Sequence, residues 1–184
     1  LICATPTAGS AGVVSGVLLA VIDRLKLTHQ QQLDFLFTAG AFGLVIANNA
    51  SISGAEGGCQ AEVGSASAMA SAALVAASGG TPDQSAQAVA ITIKNMMGLI
   101  CDPVAGLVEV PCVKRNALGS SQAFISADMA LAGIRSVIPP DEVIHAMYQV
   151  GRQMPQIFKE TAEGGLAVTP TAQRLSKEIL EKQK

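Results

Sequence analysis

Aromatic and charged residues are both scarce in this chain of 184 residues. Aromatics make up 3%, tryptophan is absent and tyrosine occurs once, whereas hydrophobic residues reach 49%, most of them aliphatic. With 12 basic and 14 acidic residues the formal net charge is −2, so neither a basic surface for nucleic acid nor a polybasic membrane patch is indicated. The length fits one domain with a sizeable core, and the small side chains favour closely packed helices.

Cysteine is also rare, with four in the chain, which is too few for a disulfide scaffold. Cys3 lies apart, whereas Cys59, Cys101 and Cys112 each lie in a Gly- or Pro-rich context, the last two bounding the segment CDPVAGLVEVPC. Three such cysteines suit a metal better than pairing, and burial as small apolar side chains is the alternative. Structural zinc prefers four ligands in closely spaced pairs, so the count favours a cluster held by three cysteines.

Three stretches without charge, residues 1–22, 35–55 and 63–82, have the length needed to span a bilayer. Each is interrupted by Gly, Ser, Thr, Asn or Pro, and no aromatic belts or basic clusters flank them. We therefore expect them to be buried in a cytoplasmic protein without membrane contact. The chain begins at Leu1 rather than Met, and we expect upstream residues to be missing.

Turn and capping residues divide the chain into helices. Thr28 is typical of a helix N-cap, Gly79 and Gly80 of a helix end, and Thr81 followed by Pro82 of the next helix start. No stretch alternates polar and apolar residues as a strand would. We predict a compact all-α bundle of roughly seven to nine helices, forming a single domain over residues 1–184. The predicted helices cover about 11–25, 29–47, 60–77, 82–97, a segment from 113 with a break near Gly119, a segment from Pro140, and a short helix from Pro170.

Two of the cysteines stand at predicted helix starts. Cys59 precedes an Ala-rich helix, and the positive end of a helix lowers the pKa of a thiol and favours the thiolate that binds metal. Cys112 begins another helix, where Lys114 and Arg115 add positive charge. Cys101 lies between them in an irregular segment that Pro103 and Pro111 keep from becoming helical. We expect the three sulfurs to converge around one pocket.

Four residues are candidates for binding a small carboxylate substrate: Thr7, Gly9, Arg115 and Asn116. The turn PTAGSAG at residues 6–12 would present backbone N–H groups and the Thr7 hydroxyl at a helix start, although an ordinary helix entry would have the same sequence. Arg115 and Asn116 directly follow Cys112 in CVKRN. Either side chain would be suited to a carboxylate or to the sulfur atoms of a cluster.

A general base is not evident from the sequence. Glu56, Gln60 and Glu62 flank Cys59, and Glu62 is a candidate, although an acid in the first helical turn is also expected from the helix dipole alone. His29 and His145 are the two histidines. We expect both to be surface or core residues rather than catalytic ones.

Several long motifs resemble one bacterial enzyme family. GAEGGCQAEVGSASAMA, CDPVAGLVEVPCVKRNA and KETAEGGLAVTPT are similar to segments of the α chain, or α domain, of the iron–sulfur-dependent L-serine dehydratases. The turn ATPTAGSAG and the segment LAGIRSVIPPDEVIHAMYQVGRQMP also resemble that family, so that the similarity covers nearly the whole chain.

The resemblance implies a [4Fe–4S] cluster held by Cys59, Cys101 and Cys112, with one iron left without a cysteine ligand. It implies conversion of L-serine to pyruvate and ammonia without pyridoxal phosphate, in amino-acid degradation that feeds gluconeogenesis. The open iron would act as a Lewis acid on the substrate hydroxyl. The family also has a β chain or β domain with a Ser-His-Thr type motif, which this chain lacks, so we expect it to work with a β partner in an oligomer.

Overall fold

Eight α-helices form the protein within residues 1–182, the part of the chain that the computed structural model describes. This confirms the all-α prediction, and the described residues hold no strand, only an isolated parallel β-bridge between Cys101 and Lys159. Short 3-10 turns cover Val104–Gly106, Gln156–Phe158 and Gly165–Val168. The helices are α1 (Ala11–Ile22), α2 (His29–Asn49), α3 (Gly54–Gly57), α4 (Cys59–Ala77), α5 (Pro82–Met96), α6 (Cys112–Leu131), α7 (Pro140–Gln153) and α8 (Pro170–Lys182).

The centre of the fold is α4, which is buried at every residue from Cys59 to Val75. Helices α1, α2, α5 and α6 all pack on it. Small side chains make this possible: a Cβ atom at Gly119 of α6 would lie 2.9 Å from Val63 Cγ1 of α4, so only glycine allows the two helices to approach so closely. The Ser67 hydroxyl donates a hydrogen bond to the Gly119 carbonyl oxygen at 2.6 Å, which satisfies both buried groups.

The predicted capping residues mark the helix starts. Thr28 caps α2 and Thr81 caps α5, and each forms a reciprocal capping box with the glutamine three positions later. Pro82 occupies the first turn of α5, where its missing N–H is not needed. Each cap stabilises its helix by about 1 kcal/mol, so local sequence sets these boundaries.

The structure differs from three local predictions. Helix α1 ends at Ile22 and not near Leu25, and Lys26 with φ 52° turns the chain toward α2. Helix α6 is continuous from Cys112 to Leu131 with no break at Gly119, because the close packing of that glycine on α4 supports the helix. The short helix α3 was not predicted, since four residues with two glycines have little helical preference of their own.

The three long uncharged segments contribute residues to both the interior and the surface of the helical bundle. Within residues 1–182 no helix combines the length and the apolar character needed to cross a bilayer. Residues 63–75, from the third of these segments, lie inside α4 and are buried by surrounding helices. This burial follows from the small side chains that let six helices contact α4 at once.

Candidate metal centre

Cys59 is the first residue of α4 and is only 1% exposed. The chain reaches it through Gly58, whose φ of 75° is a left-handed conformation that favours glycine. A Cβ atom at Gly58 would also lie 2.6 Å from Met154 Sδ and 2.9 Å from the Leu99 carbonyl oxygen. Position 58 therefore requires glycine, and this turn aims Cys59 inward at the positive end of α4.

Cys101 is held by main-chain hydrogen bonds to a distant segment. Its N–H donates to the Phe158 carbonyl oxygen at 2.8 Å, and the Glu160 N–H donates to the Cys101 carbonyl oxygen at 2.9 Å. Its side chain is buried, with 2% exposure. The segment that contains KETAEGG thus fixes the position of Cys101.

Two sulfurs and one carboxylate form a compact donor group. Cys59 Sγ, Cys101 Sγ and a carboxylate oxygen of Glu62 lie within 4.8 Å of one another, and all three residues are buried. Cys112, the first residue of α6, lies outside this group, although it is also buried at 6% exposure. Burial raises the pKa of Cys112, and the negative charges of Cys59 and Glu62 add to this effect.

Of the two neighbouring thiols, Cys59 is the one that favours the thiolate form, and Cys101 keeps its proton. A hydrogen bond from Cys101 is the main cause that lowers the pKa of Cys59, and the nearby charge of Arg115 lowers it further against the opposing effect of burial. The same hydrogen bond, together with burial and the charge on Cys59, raises the pKa of Cys101 far above its usual range. Cys59 is therefore the residue poised to bind a metal as the thiolate.

Arg115 joins the cysteine group to a buried acid. Its Nη1 atom lies 2.8 Å from Asp102 Oδ1, 2.8 Å from the Ile100 carbonyl oxygen and 3.5 Å from Cys59 Sγ. Burial disfavours the charge of Arg115, but Cys59 and Asp102 outweigh that effect and raise its pKa. The other oxygen of Asp102 accepts a hydrogen bond from the Leu166 N–H at 2.7 Å, so Asp102 links Arg115 to the Gly-rich segment near residue 165.

Glu62 lies between the N-terminal turn and the cysteines. The Thr7 hydroxyl donates a hydrogen bond to Glu62 Oε1, and a Cβ atom at Gly9 would lie 2.6 Å from that oxygen. On the other side, a Cβ atom at Gly54 would lie 3.1 Å from both Cys101 Sγ and Glu62 Oε2, and 3.3 Å from Glu160 Oε2. Burial raises the pKa of Glu62, the Thr7 hydrogen bond opposes this, and the charge of Glu160 adds to it.

Asn116 fastens the N-terminal turn to α6. Its Nδ2 donates to the Gly9 carbonyl oxygen at 2.7 Å and to the Cys112 carbonyl oxygen at 2.8 Å, and its Oδ1 accepts from the Gly12 N–H at 3.0 Å. These contacts use both N–H groups and the oxygen of the amide. The structure thus brings all four predicted substrate residues to the site, with Asn116 occupied in joining its parts.

Comparison with known proteins identifies the family. The sequence profile described as "Serine dehydratase alpha chain" matches residues 1–167. The chain belongs to this family. The "Probable L-serine dehydratase, alpha chain" of Bacillus subtilis is 70% identical over 178 residues, which cover 97% of this chain and 59% of that protein.

This chain also covers only part of the length of other relatives. The "L-serine dehydratase, alpha chain" of Peptoniphilus asaccharolyticus is 49% identical over 98% of this chain and 62% of its own length. The "L-serine dehydratase 1" of Escherichia coli is 43% identical over 89% of this chain and 36% of its own length. The chain therefore spans less than two thirds of these three members of the serine dehydratase alpha chain family.

The donors of this family member fit a metal that prefers sulfur. Thiolate ligands select iron–sulfur clusters, zinc and copper(I) over hard cations, and two buried thiols beside a carboxylate present such a set. The Arg115 guanidinium beside Cys59 supplies the positive charge and hydrogen-bond donor that stabilise thiolate or sulfide. A third thiol, that of Cys112, is also buried.

Sequence reasoning overlooked two acids of this site. Neither Asp102 nor Glu160 is among the predicted site residues, because the contacts that place them here join segments far apart in the chain. Two sequence features could have indicated these acids: Asp102 directly follows Cys101, and Glu160 lies in the motif KETAEGG. Lys114 is exposed, and so are His29 and His145, which were expected to be surface or core residues. Glu56 accepts a hydrogen bond from Ser51, and the Gln60 side chain is bonded to the backbone of Met147 and Gly98.

Proposed function

We propose that residues 1–184 form the cluster-binding catalytic domain of an L-serine dehydratase, which converts L-serine to pyruvate and ammonia. The observation that carries this proposal is the convergence of Cys59 Sγ, Cys101 Sγ and a Glu62 oxygen within 4.8 Å in a member of the serine dehydratase alpha chain family. The names of the relatives supply the substrate. The buried donors supply the chemistry that dehydration of an alcohol requires.

We assign Cys59, Cys101 and Cys112 as ligands of a [4Fe–4S] cluster. When bound, the cluster would supply a Lewis-acidic iron for the substrate hydroxyl, which is otherwise a poor leaving group. Burial of the three thiols, at 1%, 2% and 6% exposure, would shield such a cluster from solvent. Pyridoxal phosphate is not required in this proposal, because the Lewis-acidic iron would activate the substrate hydroxyl.

The protein side chains would bind the substrate and move its proton. Arg115 carries a positive charge at the cysteines, where a substrate carboxylate would be attracted. Thr7 and Gly9 place a hydroxyl and backbone next to Glu62 Oε1, and Asn116 holds that turn in place. Glu62 contributes a carboxylate oxygen to the group within 4.8 Å that contains both sulfurs, so we assign to it the transfer of the substrate proton.

We further propose that a β chain or β domain completes the enzyme, that the assembly is oligomeric, and that it works in the cytoplasm. The support is the shared name "alpha chain" and the fraction of each relative that this chain spans. A reducing compartment is also the one in which exposed Cys3 and the ligand thiols stay reduced. Activity of the chain with and without a candidate β partner tests this part separately.

Anaerobic reconstitution with iron and sulfide tests the cluster. The expected product is brown and contains sulfide, Cys101→Ser loses the colour, and Cys3→Ser keeps it because Cys3 is exposed and does not belong to the donor group. Uptake of zinc without sulfide would contradict the cluster. Glu62→Gln is expected to keep the colour while losing pyruvate release from L-serine; loss of the colour instead would make Glu62 a ligand.

A further inference from the structure

A cavity of about 370 Å³ opens beside the cysteine group, between α3, α4, α7 and the turn Gln156–Phe158. Its volume lies within the range of small-molecule sites in proteins. Its floor is formed by buried residues, among them Gly57, Ala61 and Gly151. A Cβ atom at Gly151 would lie 2.9 Å from Gly57 Cα, so helix α7 and α3 are in backbone contact under the cavity.

Charged side chains of both signs line this cavity. Arg152 and Lys159 contribute two positive charges, and within residues 1–182 neither forms a salt bridge or a side-chain hydrogen bond. Glu56 contributes one negative charge and accepts a hydrogen bond from the Ser51 hydroxyl at 2.6 Å. Two unpaired cations in a concave site favour an anion, and carboxylates are suited to an arginine fork.

We propose that this cavity is a second binding site, which takes a small α-amino acid. Arg152 and Lys159 bind its carboxylate, and Glu56 binds its ammonium group. The arrangement of two cations and one anion matches the charges of a zwitterion better than those of a simple acid, since Glu56 would repel a ligand that carries only negative charge. The volume excludes larger ligands such as dinucleotides.

The cavity is lined by other residues than the metal centre, but the two sites lie on the same backbone segments. None of Cys59, Glu62, Cys101 and Cys112 lines the cavity. Gly57 lies two residues before Cys59, and Lys159 forms the β-bridge with Cys101. A bound amino acid would therefore brace both segments that carry the clustered thiols, which makes it a regulator of that centre; this consequence rests on the proposed function, whereas the binding itself does not.

Calorimetric titration of the full-length protein with L-alanine tests the site. L-alanine has both charged groups but no hydroxyl to lose, so binding is measured without turnover. We expect Arg152→Ala and Lys159→Met each to weaken binding roughly tenfold or more, the loss expected for one charged hydrogen bond. Arg174→Ala is the control, because Arg174 is exposed on α8 and pairs with Glu178 away from the cavity.

Two further comparisons test the role of Glu56 and the independence of this site from the metal centre. Lactate, with a hydroxyl in place of the ammonium, is expected to bind more weakly than L-alanine, and Glu56→Gln is expected to abolish this difference. Cys112→Ser is expected to bind L-alanine normally. Absence of binding to a protein with native circular dichroism, equal affinity in Arg152→Ala, or loss of binding in Cys112→Ser would each overturn the proposal. L-alanine binding, together with no serine dehydration by the reconstituted protein in the presence of its β partner, would leave this site intact and reject the proposed function alone.

Discussion

The pair formed by Asp102 and Arg115 offers the sharpest test of how the site is held together. Asp102 is 2% exposed and has two partners, Arg115 Nη1 at 2.8 Å and the Leu166 N–H at 2.7 Å. Asp102→Asn preserves the shape of the side chain but removes its charge and one of its two acceptor oxygens. The new amide N–H group must then face either a guanidinium or a backbone N–H, and neither can accept a hydrogen bond.

The expected loss of stability follows from these two contacts. Removal of one partner from a buried ion pair costs about 3–5 kcal/mol, and a buried donor left without an acceptor costs about 1–3 kcal/mol. Because the remaining Asn oxygen keeps one contact and Arg115 is 14% exposed, we expect the free energy of unfolding to fall by about 2–4 kcal/mol. Arg115 would also be held less firmly at Cys59.

Urea unfolding at neutral pH, followed by circular dichroism, measures this change. Glu109→Gln is the matched control, since Glu109 is exposed in the same loop and a surface change of this kind is expected within about 0.5 kcal/mol of the original. An Asp102→Asn protein whose stability equals that of the control would refute the reasoning. Iron uptake by Asp102→Asn, compared with Glu109→Gln, then reports whether Asp102 acts on the cysteines through Arg115.

Three other predictions concern the same region. Gly9→Ala should lower stability by about 1–3 kcal/mol, because its Cβ atom would lie 2.6 Å from Glu62 Oε1. Gly40→Ala in α2 meets open space and should raise stability by up to about 1 kcal/mol. Thermal unfolding compares the two variants. Thr7→Val should destabilise the fold by about 1–3 kcal/mol because buried Glu62 loses its donor, and Thr7→Ser should restore it. In metal-free folded protein, a thiol reagent should modify exposed Cys3 rapidly and the three buried cysteines only after denaturation; rapid reaction of all four would contradict their burial.

The pattern of local signals explains which site residues were predicted. Cys59 and Cys112 stand at helix starts that glycine and proline mark in the sequence, so their thiolate-favouring positions could be inferred from neighbours alone. The group of Cys59 with Cys101 was expected, and the structure brings those two sulfurs together with Glu62. The close placement of Cys112 with them remains a prediction, since it lies outside the group within 4.8 Å.

The contacts of Asp102 and Glu160 could not be inferred in the same way. Asp102 meets Leu166 across 64 positions of the chain, and Glu160 reaches the site because its backbone pairs with Cys101. Such pairings depend on which loops meet in space, and no local periodicity encodes them. The same is true of the cavity lined by Glu56, Arg152 and Lys159, whose residues come from separate segments.

Composition and short-range patterns were sufficient for the all-α class, the capped starts of α2 and α5, and the family motifs, because caps and helical preference act over a few residues. They were insufficient for the continuity of α6 at Gly119, where contact with α4 outweighs the weak local preference of glycine. These patterns also did not indicate that Arg115 pairs with Asp102 or that Glu62 accepts a hydrogen bond from Thr7. Those assignments required packing in three dimensions, because the charge and burial that set the pKa values of the site come from residues far apart in the chain.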